Sequence, residues 1–289
     1  MASAALEPAT SLVEDRGRGF AGRWYRTPSF VAGLLILGTL IGLALAAPLV
    51  TRYSPTAQDL HHTLSGSSSQ HWLGTDQLGR DVWSRLVYAG RVDLKVGFLA
   101  VLLPFLIGTT LGSLAGYYGG KLDMLIAYLV NVVVAFPFYV LIIAMSFVLG
   151  PGERSIYIAI TFVGWVSYTR IIRAEILVAK RREYVEAAKV AGLRDSRIIV
   201  RHLLPNVIMQ AVIFAMSDII LSLAAIVTLG YLGLGIQPPT PDWGDMIAGG
   251  QNFITTKWQL SVFPGLCVVL TGLGLSLLAD GVNDLMRPE

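Results

Sequence analysis

The 289-residue chain is 54% hydrophobic and 14% charged, with a mean hydropathy of +0.63, which excludes an ordinary soluble domain and identifies an integral membrane protein. Its net charge of +3 and pI near 9.0 come from Lys and Arg clustered beside apolar runs, the pattern of a membrane face and not of a nucleic-acid surface. The single cysteine, Cys267, lies inside an apolar run and excludes an internal disulfide or a cysteine-based metal site.

Residues 1–29 are polar, with Glu7, Glu14 and Asp15 set against Arg16, Arg18, Arg23 and Arg26, and read as a cytoplasmic tail. Residues 30–50 carry no charge, matching the ~20 residues needed to cross a bilayer, and form the first span. The competing reading is a signal peptide cut near Ala44–Leu45–Ala46; the long polar lead and the length of the apolar run favour an uncleaved span. Residues 51–95 form a loop of mixed polarity in which His71–Leu86 interleaves aromatics, glycines and paired charges. His71 and Asp76 are too few for a closed metal site, and Trp72 and Trp83 suit a membrane interface.

The second span runs from Val96 to Tyr117, where Gly108, Gly112 and Gly116 line one helix face and admit a closely packed neighbour, in this chain or another. Gly119, Gly120 and Lys121 superficially suggest a phosphate loop, but Ala115 and Leu122 break the pattern, so the chain has no Walker A motif. The third span, Met124–Leu149, is interrupted by Pro137 and contains Asn131, which either lines a pathway or makes a buried interhelical hydrogen bond. Ile156–Ile172 is the fourth span.

Arg181–Asn206 is the longest basic amphipathic segment. It reads as helix, turn, helix: good helix formers from Glu183 to Ala191, Gly192 to end the helix left-handed, Asp195 or Ser196 to cap the next, and Pro205 at a boundary. By itself such a segment could also be an interfacial helix with no partner. Val207–Leu232 is the fifth span. Asp218 at its middle is either functional or paired with a serine such as Ser217 or Ser222. Pro238, Pro239 and Pro241 force the chain out of the helix into a loop, and Leu260–Leu278 is the sixth span, before a short polar tail whose last residues are 286–289. The result is an all-α protein of six transmembrane helices with a five-helix core over residues 96–285.

Three stretches carry a resemblance. Glu186, Ala187 and Ala188, followed by Gly192, Leu204 and Pro205, resemble the EAA loop of permease subunits in ATP-binding-cassette (ABC) importers, where it is a coupling helix docked in a groove of the ATPase. His202 stands where the general pattern has isoleucine, and Arg201–Asn206 is similar to the RHxLPN of the peptide-importer branch. His71–Leu86 resembles the GTDxLGRDxxSR segment, and Leu229–Ile247 the LSFLGLGxQPPxPxWG segment, of the C-type subunits of dipeptide, oligopeptide and nickel importers. Many of those carry an acid where this chain has Ile226, so no role of that acid transfers.

The resemblance implies the type I ABC importer permease fold in the bacterial cytoplasmic membrane, with a second permease subunit, two ATPase domains that carry ATP and Mg, an extracytoplasmic binding protein and a peptide substrate. Nickel or another small solute stays open. It implies an ATPase-coupling role for Glu186, Ala187, Ala188, Gly192, Leu204 and Pro205, and an outer-gate or binding-protein contact for Asp76, Arg80, Asp81 and Trp243. The candidate pathway residues are Asn131 and Asp218. No catalytic residue, metal or cofactor is expected in the chain itself. The competing function is a self-contained proton-coupled transporter centred on Asp218, which would need internal repeats or further intramembrane charges that the sequence does not clearly contain. Lys and Arg number about 15 on the side of the EAA-like loop and about seven on the other, which places that loop and both termini in the cytoplasm and residues 51–95 outside.

Overall fold

The computed structural model describes residues 27–286. The expected N-terminal tail lies outside them up to residue 26, as do residues 287–289 of the C-terminal tail. Among the described residues the fold is helical, with one isolated β-bridge between Thr75 and Asp81. α1 spans Pro28–Leu45 and α2 spans Val82–Tyr118. α3, Gly120–Val134, and α4, Phe138–Leu149, are followed by α5, Glu153–Ala179, and α6, Glu183–Val190. α7 runs from Asp195 to Tyr231, α8 is Trp243–Gln251 and α9 is Gln259–Met286.

α1, α2, α5, α7 and α9 are each long and apolar enough to cross a membrane, and α3 with α4 passes the same test as one span bent by 83°. The bend follows from Pro137, which disfavours a helical conformation at Phe136 and withholds a backbone N–H. Outward-facing Leu35, Phe147 and Val148 are 65%, 75% and 82% exposed, an arrangement stable only against lipid or a partner helix.

α2 corrects the expected loop boundary, beginning at Val82 and not at Val96, so the preceding loop ends at Asp81. The Asp81 carboxylate caps the helix by accepting from the Ser84 N–H at 2.8 Å and the Ser84 hydroxyl at 2.7 Å. The charges at Arg85 and Asp93, which read as loop, are buried on a helix face. At 37 residues α2 is about 55 Å long, well beyond the ~30 Å hydrocarbon layer, so its first turns extend past the membrane.

The glycine face of α2 packs on α5 of the same chain. A Cβ added at Gly108 would lie 2.5 Å from Tyr168 Cβ, at Gly112 2.7 Å from Thr169 O, and at Gly116 2.8 Å from Ile176 Cβ. A second close crossing joins α1 to α9, where a Cβ on Gly33 would sit 2.7 Å from Gly274 O and one on Gly281 2.6 Å from Phe30 Cα. Without water to drive apolar surfaces together, such backbone contact is what holds membrane helices to one another.

The expected second helix of the basic segment is not a separate piece but the first turns of α7. Asp195 does not cap it: Arg194 holds the N-cap position without a side-chain bond, and Asp195 instead accepts from the Tyr117 hydroxyl at 2.6 Å. Ser196 makes no cap either. Residues 198–203 form a widened π-type stretch, and Pro205, whose missing N–H interrupts the ladder, lies two residues beyond its end.

Replacing Gly112 with Ala forces α2 from α5 and should cost about 1–3 kcal/mol, whereas Gly42→Ala, where no atom lies within 4 Å, should be neutral or slightly stabilising. Melting temperatures of the two purified variants in one detergent compare them directly; equal values would contradict the close crossing.

Candidate functional site

At one end of the bundle, α5 leads through Lys180–Arg182 into α6, which turns at Gly192 into α7. Gly192 has φ of +74°, the left-handed conformation expected of a helix-ending glycine. The hairpin has two faces. Val185 and Ala188 point inward and pack in one cluster with Ile172 and Ile176 of α5 and Ile198, Leu203 and Val207 of α7. Glu186, Ala187, Gly192 and Pro205 face outward, with Leu204 half-buried between. Val190 is 90% exposed and Val200 64% exposed, so the outward face is apolar at its tip and ringed by basic side chains.

Further contacts fix the hairpin and the end of α5 against the bundle. The Lys180 ammonium donates to Gly116 O at 2.7 Å, closing the end of α5 on the end of α2. The Tyr117 hydroxyl bonds Asp195, while Lys189 lies over the Tyr117 ring, 5.6 Å from its centroid. Arg173 of α5 grips Asp123 of α3 with two bonds of 2.5 and 2.6 Å. The two acids in the first turn of α6, Glu183 and Glu186, complement the positive helix terminus.

The opposite end of α2 carries the other predicted residues. Asp76, Arg80, Asp81 and Trp243 lie there, and all four are buried, at 6%, 8%, 4% and 1% exposure, where they hold the fold of the loops. Asp76 accepts from Arg80 Nε at 2.7 Å; Arg85 lies 3.5 Å from Asp76 and 3.2 Å from Asp245 of α8. His71 bonds Asp81 at 2.9 Å, not Asp76, and no group of three potential metal ligands occurs among the described residues. Trp72 is half-exposed beside Arg52, while Trp83 donates to Val50 O and ties the helix to the end of the first span. A cavity of about 230 Å³ lies between this network and α8.

Behind Trp243 are two carboxylates whose sequence positions read as loop. Asp93 accepts from the Trp243 N–H at 2.8 Å, and Asp242 caps α8 by accepting from Gly244 N at 2.7 Å. Each has one buried oxygen without a partner, Asp93 Oδ1 and Asp242 Oδ2. Burial pushes the Asp242 carboxyl from 3.8 up to about 6, against the pull of the Asp245 and Gly244 N–H groups. The sequence signal was present at Asp93, an acid three residues before an apolar run that continues the same helix.

Within the membrane, Asp218 of α7 is buried. The expected serine pairing does not form: the Tyr168 hydroxyl of α5 donates to Asp218 Oδ2 at 2.8 Å, Ser217 faces outward, and the buried Ser222 hydroxyl has no partner. Tyr168 sits one turn beyond Gly164 in the fourth span, where no motif marks it. Asn131 is exposed on the outside of α3, which removes the buried interhelical bond within this chain. Asp218 borders a cavity of about 320 Å³ under the α3–α4 bend, whereas Asn131 does not.

Long helices, one broken span and a solvent-facing hairpin rooted in two of the helices define a polytopic helical membrane protein of the transport-permease class. A family model described as "Binding-protein-dependent transport system inner membrane component" matches residues 108–289. The chain is 38% identical to the dipeptide transport system permease protein DppC of Alkalihalophilus pseudofirmus, over 90% of this chain and 85% of that one. It is 36% identical to the glutathione transport system permease protein GsiD of Pectobacterium atrosepticum, over 94% and 91%. A chain of the MetNI methionine ABC transporter, solved in inward-facing conformations, shares the fold alone, with a TM-score of 0.57 and 19% identity over 70% of this chain and 97% of that one. The chain belongs to the binding-protein-dependent transport system inner-membrane family and is a permease subunit of an ABC importer.

The folded chain keeps the Asp242 proton to higher pH than the unfolded chain does. The stability this group contributes is therefore greatest below about pH 4, falls as pH rises toward about 6, and is level above. Asp242→Asn preserves a capping oxygen and should flatten this part of the profile. Melting temperatures of both proteins between about pH 4.5 and 6.5 test this; parallel curves would contradict it.

Proposed function

We propose that the chain is one transmembrane half of an importer of di- or oligopeptides across the bacterial cytoplasmic membrane. In this reading the hairpin faces the cytoplasm and docks on a separate ATPase subunit, which holds ATP and Mg. A second permease subunit completes the pathway, an extracytoplasmic binding protein delivers the peptide to the end carrying residues 51–81, and both termini are cytoplasmic. The excess of Lys and Arg on the hairpin side supports this orientation. The names of the two relatives, a dipeptide permease and a glutathione permease, support a peptide substrate, and neither name mentions nickel.

One observation carries the coupling role. The hairpin exposes Val190, Val200 and Ala187 to water while its other face, Val185 and Ala188, belongs to the same core as α5 and α7. Burying a fully exposed valine is worth about 1.5 kcal/mol or more, so the outward face gains by docking. The inward face prevents the hairpin from moving alone: a displacement of its groove is passed to α5 and α7 together. ATP then shifts the permease between states only to the extent that the ATPase binds it differently in each.

Gly192→Glu adds a strained left-handed residue and a negative charge to the docking tip, yet no atom stands within 4 Å of a new Cβ. The variant should reach the membrane at normal abundance, lose the co-purifying ATPase, and transport at least tenfold more slowly, while Gly192→Asn, which tolerates positive φ, should retain both. Gentle solubilisation with mass spectrometry of the co-purified proteins, beside peptide uptake, measures each part. Wild-type uptake in Gly192→Glu would end the coupling role.

A further inference from the structure

We propose that Asp218 recognises the protonated N-terminal amine of the peptide as it passes, with Tyr168 as the residue that positions the carboxylate. The inference rests on the peptide-importer reading above and names the chemistry that the pathway uses.

Asp218 stands near the middle of a 37-residue apolar helix, where a carboxylate is expensive unless it is paired or faces a cavity. Among the described residues no Lys, Arg or His forms an ion pair with it. Its one polar partner, the Tyr168 hydroxyl, occupies Oδ2. The carboxylate borders the 320 Å³ cavity, whose walls are otherwise largely apolar: Val133, Phe136, Phe138 and Phe214. That volume is at the small end for ligand sites and fits a dipeptide-sized portion of a chain. The missing element is a cation that can enter and leave.

A peptide's terminal ammonium meets this requirement. It is common to unmodified peptides of every sequence, so a single carboxylate can accept it without reading side chains, and the apolar walls accommodate whatever side chain follows. The geometry is held firmly on the protein side. Tyr168 is fully buried and clamped edge-on between Phe105 and Phe214, with ring centroids 5.5 and 5.1 Å away.

The site is also placed to respond to the hairpin. Tyr168 is on α5 and Asp218 on α7, the two helices that the hairpin joins. A movement that shifts one helix against the other changes the Tyr168–Asp218 bond and the walls of the cavity together, so affinity for the amine differs between the two states. That difference is what allows a bound group to be released.

The test uses the complete importer in proteoliposomes, with its binding protein saturated by either an alanyl dipeptide or the des-amino isostere lacking only the ammonium. The ratio of maximal uptake rates, amine over des-amino, is compared between wild type and variants; the same binding protein serves every permease, so its own preference cancels in the comparison. Asp218→Asn should lower this ratio by at least about tenfold, the worth of one charge-assisted hydrogen bond, through slower uptake of the amine substrate alone and with unchanged half-saturation. Asp218→Glu should restore part of it, and Tyr168→Phe should reduce it less than Asp218→Asn. Equal slowing of both substrates would overturn the proposal in favour of a structural carboxylate or one paired with a cation of the second permease. Unchanged rates for both would overturn it in favour of a neutral, bystander carboxyl. If wild type imports no peptide, the peptide reading fails first and this inference falls with it; failure of the ratio alone leaves that reading intact.

Discussion

The contact on which the rest of the molecule depends is the close crossing of α2 and α5 through Gly108, Gly112 and Gly116. Lipid chains are as apolar as the helix surfaces, so helices gain little by hiding from them; dispersion at short range decides, and it requires backbones to touch. The three glycines let α5 lie against α2 with Tyr168, Thr169 and Ile176 seated in the space where side chains would otherwise stand. From this one placement follow the Tyr168–Asp218 bond, the Arg173–Asp123 grip on α3, and the Lys180 ammonium on Gly116 O. The hairpin grows directly from the end of the helix so positioned.

The two ends of α2 are built by different physics. At the hairpin end an aliphatic cluster fuses α6 to α5 and α7, while Val190 and Val200 stay exposed on the outward face. At the far end buried ion pairs and capping carboxylates hold loops in place: Asp81 starts α2, Asp242 starts α8, and Arg85 bridges Asp76 and Asp245. A buried charge network of this kind adds little net stability but is costly to leave half-made, so it selects one loop arrangement over others. Between the ends, the broken span of α3 and α4 opens a cavity beside Asp218, where the membrane would otherwise exclude a charge.

Apolar run length made the helices readable from the sequence, and the four-residue glycine repeat announced the α2 face, though not that its neighbour was α5. Gly192, Pro137 and the prolines after α7 behaved as their backbone chemistry requires. What escaped the sequence was partnership across distance. Arg85 and Asp93 looked like loop charges because nothing local shows that Asp245 and the Trp243 N–H are waiting, more than a hundred residues away. For Asp218 the pairing alternative named serines because they are near in sequence, whereas Tyr168 is near only in space. Gly33, Gly274 and Gly281 lacked a repeat and so gave no sign of the α1–α9 crossing. Asp76, Arg80, Asp81 and Trp243 all lie toward one end of α2, but motif spacing cannot say that all four are buried.

The coupling role proposed for the hairpin puts its exposed tip against the ATPase. A single cysteine at Val190, in a chain whose Cys267 is replaced by serine, tests it within intact membranes by thiol-directed crosslinking followed by mass spectrometry. One dominant covalent product joining this chain to the ATPase subunit is expected, with residue 190 shielded from water-soluble maleimide in the assembled complex. A cysteine that stays freely labelled in that complex and crosslinks to no ATPase would contradict it.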